Sequence, residues 1–69
     1  MRLLVTIEIP DAIAVAYGSA PVVKRAAKTG IITEFLATFR QAKGIRGQSR
    51  DADRFLTLLR ESVVIEEVK

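Results

Sequence analysis

Neither cysteine nor histidine occurs among the 69 residues of this chain, and that double absence constrains what it can fold into more than any other feature. A domain of this size buries only about 60% of the surface its unfolded form exposes, so small scaffolds commonly rely on disulfides, a structural metal or a partner chain. The first two supports are closed off here, which leaves association. Hydrophobic residues make up 49% of the sequence, more apolar surface than one small core hides, and a homodimer is the expectation. The same absences exclude zinc and thiolate chemistry and the usual nucleophilic triads. A cysteine-free chain suits a reducing compartment, so a cytoplasmic location is expected.

Charge is unevenly placed. Lys24, Arg25, Lys28, Arg40, Lys43, Arg46 and Arg50 crowd the middle with only Glu34 against them, so residues 24–50 carry net +6. Residues 1–23 carry −1, from Arg2 against Glu8 and Asp11, and residues 51–69 carry −2. A basic centre between weakly acidic flanks points to a polyanion, and nucleic acid is the commonest such partner. Lys24, Arg25, Lys28, Lys43, Arg46 and Arg50 are the expected phosphate contacts. Arg46, beside Gly47 and close to Gly44, is well placed to bring a guanidinium against a phosphate.

The pattern along the chain predicts an α+β domain spanning residues 1–69: an N-terminal strand, three or four short helices and a short C-terminal strand. Leu3, Val5, Ile7 and Ile9 alternate with Arg2, Leu4, Thr6 and Glu8, the period of a half-buried strand. Pro10 stops it, Asp11 is placed to cap a helical turn over 12–17, and Gly18 breaks that turn. Ser19 and Pro21 start a second helix running to Thr29-Gly30. Ile31, Ile32, Phe35, Leu36 and Phe39 recur at helical spacing in a third, closed by Lys43 and Gly44. Residues 44–48 read as a flexible connector. Ser49, Asp51 and Asp53 then open a last helix with Ala52, Phe55, Leu56, Leu59 and Val63 as its apolar stripe. Val63-Val64-Ile65 turns β-branched, predicting a strand through Glu66-Glu67-Val68-Lys69. Two strands are marginal alone, so they are expected to pair across a dimer. Phe35, Phe39 and Phe55 fall on the stripes and are expected in the core, leaving Tyr17 as the exposed aromatic.

Chemistry finds little purchase. Asp51 and Asp53 diverge on a helix start, and Glu66 and Glu67 would point to opposite faces of a strand, so neither pair gathers a cation. The glycines at 18, 30, 44 and 47 form no phosphate loop. The expectation is a non-enzyme without cofactor or metal. Thr6 and Glu8 interrupt the first apolar run, against a signal peptide, and no stretch reaches the ~20 apolar residues of a membrane span.

The order Val5-Thr6-Ile7-Glu8-Ile9-Pro10-Asp11, then Gly18, then Thr33-Glu34-Phe35-Leu36-Ala37-Thr38-Phe39-Arg40-Gln41, then Lys43-Gly44-Ile45-Arg46-Gly47-Gln48, then Ser49-Arg50 leading to Phe55-Leu56-Thr57-Leu58-Leu59-Arg60-Glu61 resembles a small bacterial and archaeal antitoxin-like family. Its members carry an N-terminal strand and a helix-turn-helix, and many are encoded beside nuclease toxins. The first helix of that motif, which the family places between the counterparts of Gln48 and Ser49, is missing here. Residues 5–11 and Ala26-Ala27-Lys28-Thr29-Gly30-Ile31-Ile32-Thr33-Glu34-Phe35-Leu36 are also similar to ribbon-helix-helix repressors, whose paired strands enter the major groove. Here the span from Pro10 to Gly30 is longer, and Glu8 sits on the strand face that would meet DNA. Both resemblances imply a dimeric DNA-binding regulator, an antitoxin or transcriptional repressor, with a toxin as possible partner. The alternative is a protein-interaction module or small subunit of a larger assembly.

Overall fold

Pro10 sets the first helix by geometry. Its ring holds φ at −58°, and its carbonyl accepts the amides of Ile13 at 2.9 Å and Ala14 at 3.0 Å. Helix α1, Asp11–Tyr17, therefore starts from a backbone cap, and Asp11, instead of capping, lies in the first turn where a carboxylate suits the helix dipole. Gly18 ends it at φ 91°, a conformation other residues adopt only with strain. The computed structural model describes residues 1–68.

Helix α2 runs unbroken over Ala20–Lys43, where the sequence predicts two helices divided at Thr29-Gly30. Glycine lowers helix stability by only about 1 kcal/mol, and Ile31 and Ile32 beyond it are half-buried and buried. Packing carries the helix through. Nothing lies within 4 Å of where a Cβ on Gly30 would sit, so Gly30→Ala should raise stability by about 0.5–1 kcal/mol. Gly44 is the opposite case. At φ 66° it closes α2 with its amide on the Gln41 carbonyl at 3.2 Å and the Ile45 amide on the Arg40 carbonyl at 2.9 Å, the paired bonds of a Schellman cap. Gly44→Ala should lower stability by about 1 kcal/mol. Thermal melts of the two variants should move in opposite directions, and a shared direction would contradict this assignment.

Ser49 precedes helix α3, Arg50–Ser62, and its carbonyl accepts the Asp53 amide at 3.0 Å. Asp51 and Asp53 occupy the first turn and Arg60 the last, both favourable to the dipole. The expected stripe faces α2: Ala52 is buried, and Phe55, Leu56, Leu59 and Val63 are half-buried. The Phe39 and Phe55 rings stack across the two helices with centroids 4.1 Å apart and planes 16° from parallel. Helix α1 packs on α2 as well.

The α+β expectation is overturned. Among the described residues the fold is three helices with no strand and no sheet. Residues 2–9 alternate as strands do and residues 63–65 are β-branched, but neither signal makes a strand by itself, since a strand needs a neighbour to complete its hydrogen-bond ladder. Neither segment has one, so the pairing of these strands falls with the sheet. Lys69, the end of the expected tail strand, lies outside the described residues. No described helix is long and apolar enough to cross a membrane.

Little is hidden. Among the described residues only Ile32 and Ala52 are buried hydrophobics. At about 1.5 Å per residue α2 is some 36 Å long, which accounts for the 39 Å long axis. The radius of gyration is 14.3 Å, against about 11 Å for a folded chain of this length.

Candidate nucleic-acid interface

The structure divides the six expected contacts into two groups. Lys24, Arg25 and Lys28 lie on the N-terminal half of α2. Lys24 and Lys28 are one turn apart and share a face; Lys28 is half-buried, whereas Lys24 and Arg25 are exposed. Lys43 ends α2, Arg46 lies in the turn and Arg50 begins α3, all three exposed. Fifteen helical residues separate Lys28 from Lys43, about 22 Å along the axis. The basic middle is thus two patches, with Glu34 between them on the same helix.

The patch at the α2–α3 turn is the denser one. Arg54, absent from the sequence-predicted set, lies one turn beyond Arg50 on α3 and lines a shallow cleft of about 260 Å³ with Phe39, Lys43, Asp51, Phe55 and Leu58. The signal for Arg54 was its spacing of four from Arg50 on a single helix, which places both on one face. Arg40 has another task. Its guanidinium Nη2 donates to the Gly47 carbonyl and ties the turn to the end of α2. Gly47 holds φ 75°, which lets the chain bend back within that reach. The expected flexible connector is therefore fastened at both ends, by the Gly44 cap and by Arg40.

Lys43, Arg46, Arg50 and Arg54 present four cations on adjoining elements, tempered by Asp51 and Asp53 in the first turn of α3. Arg50 is placed at the positive end of the α3 dipole, a position that disfavours a cation, so its presence there does nothing for the helix. Arginine can bind phosphate oxygens bidentately and lysine as a point charge, so such a set has the chemistry to hold a phosphate. Among the described residues no group of three or more carboxylates gathers to hold a metal ion.

Aromatic side chains follow the expectation in part. Phe39 and Phe55 are engaged with each other. Phe35 departs from it: expected in the core, it is 48% exposed, because α2 carries apolar residues on more sides than α1 and α3 cover. Tyr17 is exposed, as expected. Comparisons with protein-family models, with curated proteins and with solved structures find no match to this chain.

Proposed function

We propose that this chain is a small, non-catalytic, cytoplasmic DNA-binding regulator, an antitoxin or transcriptional repressor that acts as a homodimer, with its α2–α3 turn set against the phosphate backbone. The observation that carries this reading is the grouping of Lys43, Arg46 and Arg50 with Arg54 on exposed surfaces of adjoining elements. Lys24, Arg25 and Lys28 supply a second contact along α2, on the same or a neighbouring stretch of duplex. The resemblance in residue order to the antitoxin-like family supports the class, whereas the likeness to ribbon-helix-helix repressors does not, because the strand they set in the major groove is absent among the described residues. Phosphate contacts of this kind position a protein without reading sequence. Selectivity falls to the exposed face of α3, where Arg54 and Thr57 offer polar groups.

A titration of labelled duplex at two salt concentrations tests it. Binding should weaken steeply with salt, because each neutralised phosphate releases counterions. Replacing Arg46 and Arg50 together by Ala should weaken binding on every duplex and flatten the logarithmic salt slope by about one unit per lost contact. Both residues are exposed, so the helical signal of the double variant should match that of the parent. If the parent binds no duplex at low salt, its own upstream region included, the protein-interaction module becomes the better reading, and the large exposed apolar surface favours it.

A further inference from the structure

We infer that this chain completes its fold only by meeting a second copy of itself, through apolar side chains that its own helices leave in water. This dimer deepens the homodimer of the proposed function and is tested without nucleic acid; its cleft at Leu58 adjoins Lys43 and Arg54 of the proposed phosphate contacts. The accessible area is 6312 Å², whereas a folded monomer of this mass exposes roughly 4,300 Å². About 2,000 Å² per chain is thus uncovered. Two copies that remove this excess bury about 4,000 Å² in all, within the range of obligate homodimers. A transient partner of ordinary size covers only about 800 Å² per side and leaves most of it open.

The distribution of the excess favours self-association. Leu3, Val5 and Ile7 project from the unpartnered N-terminal segment at 68%, 66% and 51% exposure. On the helices, Phe35 and Leu58 are 48% and 55% exposed. Phe35 borders a shallow hollow on α2 with Ile31, Glu34 and Thr38, and Leu58 lines the cleft beside Phe39 and Phe55. A protruding apolar segment, an apolar hollow at Phe35 and a cleft whose floor is Phe39, Phe55 and Leu58 between Lys43, Asp51 and Arg54 therefore occur on one chain without meeting. Two copies related by a twofold axis satisfy both halves at once, because each contact is made twice.

Among the described residues only Ile32 and Ala52 are buried hydrophobics within one chain, and the interface adds about 2,000 Å² of burial per copy to that sparse core. Folding is then linked to association and rises with concentration. The test uses the purified full-length chain without DNA: sedimentation equilibrium and thermal circular dichroism over a roughly hundredfold concentration range. The expected result is a dimer whose melting midpoint climbs with concentration. Ile7→Lys and Phe35→Glu should each weaken the dimer by about tenfold or more, although both positions are solvent-exposed in the single chain and would be nearly neutral in a monomer. A monomer at every concentration overturns the inference, whether it melts sharply or not, and a larger assembly does the same. A dimer that neither variant weakens overturns the assigned surface. Energy transfer between differently labelled parent copies supplies a readout that does not depend on the variants folding, and no transfer where sedimentation predicts dimer also counts against it.

Discussion

Ala52→Glu should separate α3 from α2. Ala52 is 3% exposed at the contact between the two helices, where a longer side chain forces them apart and a carboxylate finds no partner. Overpacking and the burial of an uncompensated charge together cost about 3 kcal/mol or more. A chain of this length has roughly 3–10 kcal/mol in total, so the variant should lose cooperative unfolding near room temperature. Helix α3 has 13 residues, marginal for an isolated helix in water. The ellipticity should therefore fall by about the share that α3 contributes, while part of α2 persists. An Ala52→Glu chain that melts like the parent would show that the α2–α3 contact is not made as described.

The Phe39–Phe55 stack carries the second large effect. Truncating either ring to Ala removes a half-buried aromatic and should cost about 2 kcal/mol, below the ~3–5 kcal/mol of fully buried phenylalanine. Because the rings lie nearly parallel at 4.1 Å, the two losses should not add. A double-mutant cycle read by urea unfolding should show coupling of about 0.5–1.5 kcal/mol. Additive losses would mean that the rings pack against other groups and not against each other.

Much of the helical frame was legible because its ends depend on local chemistry. Pro10, Gly18, Ser19, Gly44 and Ser49 act within a few residues of themselves, and each marks an end that the structure has. The failures concern relations that a linear reading does not contain. Gly30 looked like an end because its intrinsic cost is visible in sequence, whereas the packing of Ile32 that outweighs it is not. Residues 2–9 have the period of a strand and residues 63–65 its β-branched composition, yet a ladder requires a second backbone, and none is paired with them among the described residues. Phe35 shares helical spacing with Phe39, but α1 and α3 cover only part of the circumference of α2. Of the candidate contacts, the exposure of Lys24, Arg25, Lys43, Arg46 and Arg50 followed from charge alone. Their separation into two patches did not, because it depends on α2 being one helix.

The bond from Arg40 to the Gly47 carbonyl and the paired amides at Gly44 bear on kinetics. A loop that must order itself on each encounter loses conformational entropy at that moment and slows capture. Here the backbone under Arg46 takes its course when the helices form, so under the proposed function a phosphate would meet that guanidinium on a prearranged support. Association should then be governed by long-range attraction and diffusion, with differences in residence time arising from how many charges stay engaged.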